Sequence, residues 1–485
     1  MVSANTWERI ERQKLRQREF RTRRNRPGER PDPSRPVGTD RLPQIKHVVV
    51  LMMENHSFDN YLGTLGKGEG LPHGDDGKPD AENPDAAGTM IRSHHANSTM
   101  QDPGVPCQSW TATHAQWADG KMNGFVTSAE QAGEGNKAAP MAYWTGQDLP
   151  FYHGLARTFP LADHWFSSCL GPTFPNRRFL LAGTANGLMD DLPLNLLDRP
   201  PAGTIMDVLS RHRISWVNYR PASSDQSEFR RFVQYRRRRK RHHLTSLGRS
   251  LRNPGYVFQR DLQFTTAIYP LGVASYMAHI RSIERFFADA DSGALPSFCI
   301  VDPDFRSFSE ESPQDIRKGE SFAAEVINRI MHGPGWADTL LIWMYDEHGG
   351  YYDHVVPPEA VPPDDVRGRS LVAHPSLVHS LLKVLLPSYV RHAEDLVQGP
   401  NAYDRYGFRV PAVIVSPYAR RDCLLPDVFD HTSVLKLLEE KWNLPALTRR
   451  DAAATAPLGA LDLTAPPAFL TPPELPAPAL PWGTW

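Results

Sequence analysis

The chain has 485 residues, 40% of them hydrophobic and 22% charged, enough for a sizeable core; this excludes a disordered, fibrous or miniature disulfide-stapled protein. Lys and Arg number 54 against 55 Asp and Glu, a net charge of −1, which argues against a whole-chain electrostatic footprint for nucleic acid, so no such partner is expected. The charge is uneven, because residues 1–30 carry ten basic and four acidic side chains.

In chain order, residues 1–43 read as a basic arm, partly helical, followed by a Pro-rich linker. A solvated helix packed on its own domain is one reading of the arm, and contact with an anionic membrane surface is another. No apolar run approaches the ~18 residues of a membrane span, and Arg-Pro-Gly-Glu-Arg follows the arm where a secretory signal would have an apolar segment. A cytoplasmic location is therefore the default expectation, with export left open. The four cysteines are more than sixty residues apart and form no CxxC pair of the kind that binds zinc.

Residues Ile45 to Met53 form a nearly continuous β-branched and apolar run, the pattern of a strand buried on both faces of a parallel sheet. Similar runs recur at Ile214 to Tyr219, Phe298 to Val301, Leu340 to Tyr345 and Val410 to Val415. Helical spacing appears between them, clearest at Ser321 to Met331 and at Ser433 to Trp442. The alternation predicts an α/β fold with a mostly parallel sheet covered on both faces. Between residues 220 and 270 the periodicity fades around a basic run, 236–241, which reads as a surface insertion; a solvated loop and a phospholipid-headgroup or polyanion site are both open there. From residue 461 the chain is Pro- and Ala-rich and reads as an extended tail.

In such sheets ligands sit at the carboxyl ends of the strands. Here the first strand runs into Glu54-Asn55, the 298 strand into Asp302 and the 340 strand into Asp346-Glu347. Several carboxylates converging on one edge require a cation, and the oxygen-rich set Glu54, Asn55, Asp346 and Glu347 suits one divalent metal: Ca, Mg, Mn, Fe or Zn. The alternative is that these acids cap the helices that follow them. In Gly171-Pro172-Thr173-Phe174-Pro175-Asn176-Arg177-Arg178 the turn and Pro175 place Thr173 at or beside a helix N-terminus, a position receptive to phosphate. Thr173 is thus a candidate nucleophile and metal ligand, or else a plain cap.

Together these segments resemble the phosphoesterase family of bacterial phospholipases C and acid phosphatases, within the alkaline-phosphatase-like superfamily. The resemblance rests on Val48 to Leu62, Gly171 to Arg178, Asp346 to Val355 (DEHGGYYDHV), Arg409 to Arg420 and Asp430 to Leu438 (DHTSVLKLL), and extends over roughly residues 44–460. It implies a three-layer α/β/α sandwich with loop insertions and a metal held by Glu54, Asn55, Thr173, Asp346 and Glu347. It also implies Thr173 as the nucleophile, with Asn176 and Arg177 orienting or clamping the phosphoryl oxygens; the alternative for Arg177 is a pairing with a neighbouring carboxylate. Expected partners are a phosphate-ester substrate, a phospholipid headgroup among the forms it takes, with peripheral membrane contact through the basic arm or loop.

Two departures stand out. Many relatives carry a histidine before Ser-Trp where this chain has Gln108, and Asp-Asp-His-Pro where it has Glu310-Glu311-Ser312-Pro313. The acid for the leaving group is then sought among His114, His164, His348, His354 and His431, of which His348 and His354 flank the metal motif. A non-catalytic anion- or phospholipid-binding protein is the competing reading. A sulfatase is disfavoured, because threonine cannot become formylglycine.

Overall fold

The computed structural model describes residues 28–101, 107–132, 136–189, 191, 200–221, 276–305, 307–366, 368 and 403–483. Residues 1–27 of the basic arm and the basic run 236–241 lie outside the described residues.

Six strands form the central sheet: β1 His47–Met53, β2 Trp216–Arg220, β3 Ile280–Ser282, β4 Phe298–Val301, β5 Thr339–Tyr345 and β6 Ala412–Val415. Their spatial order is β6-β5-β1-β4-β2-β3, parallel throughout except for β6, which runs antiparallel to β5. Val48 to Met53 of β1 and Leu341 to Tyr345 of β5 are fully inaccessible on both faces, so the sheet is covered on both sides, as the unbroken apolar runs require. β1 lies at the centre and its register with β5 pairs Met53 with Tyr345, which brings Glu54 and Asp346 out at the same edge.

The helices are α1 Phe58–Leu62, α2 Trp110–Trp117, α3 Phe125–Ala132, α4 Pro150–Thr158, α5 Thr173–Ala182, α6 Ile205–Arg211, α7 Ile283–Asp291, α8 Ile316–His332, α9 Thr432–Trp442 and α10 Arg449–Ala453. α8 packs on α7 and α4; α5 packs on α6 and α9, and α9 on α10. Helices, sheet and helices give the α/β architecture of the alkaline-phosphatase-like sandwich. Among the described residues no helix is long and apolar enough to cross a membrane.

Three segments are strapped onto this frame. Residues 28–41 follow the C-terminal end of α9, where the left-handed Asn443 ends the helix and its amide donates to Asp32 O (2.8 Å) and Arg35 O (3.0 Å). The tail crosses the domain with Phe469 buried, its N–H on Pro417 O (2.9 Å), and with Ala479 N–H on the Glu320 carboxylate (3.0 Å). Residues 160–162 run along the outer side of β6, with Ile414 N–H on Pro160 O (3.0 Å) and Ala162 N–H on Ala412 O (3.1 Å), before the chain turns towards α5.

Candidate active site

Glu54, the first residue after β1, is buried, as are Asn55, Asp346 and Glu347. Ser57, and not Glu54, caps α1, accepting Asn60 N–H (3.2 Å), so the capping alternative does not describe Glu54. Asp346 continues the strand ladder by donating its N–H to Met53 O (3.2 Å), and its Oδ1 accepts Glu347 N–H (2.8 Å). Glu347 Oε2 accepts Gly349 N–H (2.8 Å). Gly349 has φ +65, and a β-carbon there would lie 2.0 Å from the Asn55 carbonyl oxygen and 2.9 Å from Asn55 Oδ1. Only glycine permits this approach, which draws the segments after β1 and β5 together.

Thr173 is the first residue of α5, after Pro172 at the cap position. Its hydroxyl donates to Glu54 Oε2 (3.3 Å) and also interacts with Asp346. At 7% exposure it is more accessible than Glu54, Asn55, Asp346 and Glu347. Asn176 is fully buried and acts within its own turn: its Oδ1 accepts Cys169 N–H (3.0 Å) and its amide donates to Gly171 O (2.8 Å) and Pro172 O (3.0 Å). It thereby fixes the approach to the hydroxyl. Asp191 accepts Phe174 N–H (2.9 Å) at the same helix start.

Arg177, one turn after Thr173, is fully buried and paired with carboxylates. Its guanidinium contacts Glu54 Oε1 (2.8 Å), Asp302 Oδ1 (2.9 Å) and Asp346 Oδ2 (3.4 Å). Asp302 is held in turn by the Asn218 amide (2.8 Å) from within β2. Three strand ends thus send a carboxylate to one helix residue, and a fourth strand supports one of them through Asn218. This is the carboxylate-paired alternative for Arg177, and it makes the side chain the internal counter-ion of the site.

One guanidinium does not balance Glu54, Asp302, Asp346 and Glu347. Burial, with Asp346 nearby, pushes the Glu54 and Glu347 carboxyls well above the usual range, and burial raises Asp346 despite Arg177. Half-buried Glu311 is pushed up to about 8 by burial, with Asp191 and Asp346 adding to the effect. Glu347 Oε1 is buried with no hydrogen-bond partner among the described residues. An orphaned carboxylate oxygen and an excess of carboxylates over guanidinium are features that a divalent cation would relieve, although Glu54, Asp346 and Glu347 do not bring three carboxylate oxygens within 4.8 Å of one another.

The remaining histidines separate from one another. His348 is buried, its Nε2 on Gln116 Oε1 (2.8 Å) and its Nδ1 3.3 Å from Glu347 Oε2; burial lowers its pKa to about 3. His354 instead joins a second polar cluster, with its Nδ1 2.6 Å from Asp59 Oδ2 and its Nε2 3.7 Å from Glu69. Asp59, Asp353 and His354 present ligand atoms within 4.8 Å of one another, yet Arg409 already supplies a cation there, bonded to Asp59 (3.0 Å) and Asp353 (2.9 Å). His164 faces Glu69 (3.2 Å) in the same cluster, and His114 Nδ1 bonds the carbonyl of Trp110 within α2 (2.7 Å). His431 Nε2 reaches the carbonyl of Asp346.

Asn218, Gln116 and Asp191 were not singled out from the sequence. A polar Asn inside an otherwise apolar strand was the available signal for Asn218.

A sequence profile described as the Phosphoesterase family matches residues 45–445. The chain belongs to the phosphoesterase family. Among curated relatives of this phosphoesterase, non-specific phospholipase C6 of Arabidopsis thaliana is 28% identical over 439 residues, covering 84% of this chain and 71% of the relative. Phospholipase C B of Mycobacterium tuberculosis is 28% identical over 459 residues, covering 88% and 79%. Non-specific phospholipase C1 of Arabidopsis thaliana is 26% identical over 437 residues, covering 84% and 69%. The chain is accordingly an enzyme that hydrolyses phosphoric esters.

Proposed function

We propose that this phosphoesterase is a metal-dependent hydrolase of phospholipid-type phosphodiesters, working through Thr173 as nucleophile. The observation that carries the reading is the Thr173 hydroxyl, at the start of α5, 3.3 Å from Glu54 Oε2 and beside Asp346 in a cluster with surplus negative charge. The phospholipase C names of its plant and mycobacterial relatives support the substrate class.

A divalent ion held by Glu54, Asn55, Thr173, Asp346 and Glu347 would lower the hydroxyl pKa and withdraw charge from the phosphoryl oxygens. Thr173 Oγ1 attacks phosphorus as its proton passes to Glu54 Oε2, the bond to the leaving group breaks and the departing alkoxide takes up that proton, and water then hydrolyses the phosphothreonine. Glu54 Oε2 is within reach of the threonine proton. The α5 N-terminus favours the negative phosphoryl group, and Asn176 fixes the turn that aims the hydroxyl. Arg177 holds Glu54 and Asp346 in place.

The test is hydrolysis of phosphatidylcholine vesicles, p-nitrophenyl phosphocholine and p-nitrophenyl phosphate, before and after chelation and metal return. Thr173→Ala is expected to lose at least about a thousandfold in kcat. Chelator-sensitive diester cleavage that vanishes in this variant supports the proposal; preference for the monoester makes the enzyme a phosphatase. Full activity in Thr173→Ala would replace the covalent route by direct attack of water.

A further inference from the structure

We infer that His431 is a positioning residue for Asp346, locked in a single tautomer by Trp165. The inference deepens the proposed function, because it rests on Asp346 as a metal-binding carboxylate.

His431 Nε2 lies 2.5 Å from the Asp346 carbonyl oxygen. A carbonyl only accepts, so Nε2 carries the hydrogen. Trp165 Nε1 lies 3.4 Å from His431 Nδ1, and an indole only donates, so Nδ1 offers its lone pair. The ring is therefore neutral with both nitrogens engaged, and it is fully buried. A flipped ring would set a C–H against the carbonyl. These contacts leave His431 no proton for a leaving group, which removes it from the candidate acids.

What His431 fixes is the peptide joining the two acidic residues. The Asp346 N–H is tied to Met53 O, and its Oδ1 to Glu347 N–H. The His431 bond completes the set by holding the carbonyl, so the Asp346–Glu347 peptide plane cannot rotate. Asp346 Oδ2 then faces Arg177, and Glu347 follows the direction of that peptide. Without the donor, a buried carbonyl would be left unpaired and the peptide free to turn.

His431 is itself anchored independently of the site. Asp430 before it accepts from Ser168 Oγ (2.8 Å) and Thr432 Oγ1 (2.5 Å) and bonds Ser433 through its own N–H (3.1 Å). Trp165 stacks on Phe429 with ring centroids 5.6 Å apart, and the two residues are bridged through their backbones. The segment before α5 and the start of α9 thus jointly hold an imidazole against the end of β5.

The test compares the full chain with His431→Phe, His431→Gln and Trp165→Phe, reading Mn²⁺ affinity by titration, Tm of the metal-free protein, and ester hydrolysis. His431→Phe keeps the ring volume without the donor and is expected to weaken Mn²⁺ binding about 10–100-fold, the usual effect of losing a group that orients a ligand. His431→Gln restores an N–H donor and should recover most of that loss, while Trp165→Phe should fall between. Binding by His431→Phe within twofold of wild type overturns the assignment. So does an equal loss in His431→Phe and His431→Gln with the same drop in Tm, which would mark a packing role only. If wild type binds Mn²⁺ but hydrolyses no ester, the proposed function fails while the affinity ratios still decide the role of His431. No Mn²⁺ binding by wild type overturns both.

Discussion

Replacing Arg177 by methionine removes the internal counter-ion and leaves the volume roughly filled. The guanidinium meets Glu54 at 2.8 Å, Asp302 at 2.9 Å and Asp346 at 3.4 Å, all buried. With an effective dielectric of about 20, each pair attracts by roughly 5–6 kcal/mol, most of it offset by the desolvation of the charges. The net cost of removing one partner from such a buried cluster is about 3–5 kcal/mol. Relieved of their cation, Glu54 and Asp346, whose carboxyls burial already raises, hold protons more tightly still when folded than when unfolded. The variant therefore gains stability relative to wild type as pH falls, and the gap should narrow from neutral to mildly acidic pH. Denaturant unfolding of the chelated protein across this range measures it, and added divalent ion should recover part of the loss at the higher pH. A deficit of the same size at both ends would mean that Arg177 acts through packing, and the counter-ion argument would be wrong.

Gly349→Ala forces a side chain onto φ +65 and into the Asn55 carbonyl at 2.0 Å, so it should cost at least about 2 kcal/mol and weaken metal binding; unchanged Tm and Mn²⁺ affinity would refute the close-approach account. Burial works against a charged His354, but Asp59 and Glu69 hold its pKa up to about 9 from an ordinary 6.5. Its contribution is then full below pH 6.5 and is lost as pH rises through 9, a difference of about 3 kcal/mol. His354→Gln should flatten the stability–pH curve over that window, and parallel curves for variant and wild type would contradict it.

The strands of the sheet were legible where burial on both faces writes an unbroken apolar run. All five such runs became β1, β2, β4, β5 and β6. β3 was not, because Ile280–Ser282 is short and puts Arg281 outward, leaving no run to read. The start of α8 was placed late, since its first turn, Ile316-Arg317-Lys318-Gly319, breaks the apolar stripe. The positions of Glu54, Asp346 and Thr173 were legible because each sits at the end of a strand or the start of a helix. The partners of Arg177 could not, since Glu54, Asp302 and Asp346 lie 123, 125 and 169 residues away and only the sheet order unites them. His354 shows the opposite case: its sequence neighbourhood suggested the metal motif, but its side chain is bonded to Asp59, 295 residues distant.

The segment at 160–162 occupies the outer edge of β6 with two backbone bonds and leads directly to Trp165 and on to Thr173. An uncovered edge strand is a template for pairing with another chain. Here the residues that keep neighbouring molecules from adding to the sheet are continuous with those that set the position of Thr173. A substitution that frays this edge would therefore be expected to lower solubility and turnover together, so that poor expression and weak activity in variants of this stretch share one cause.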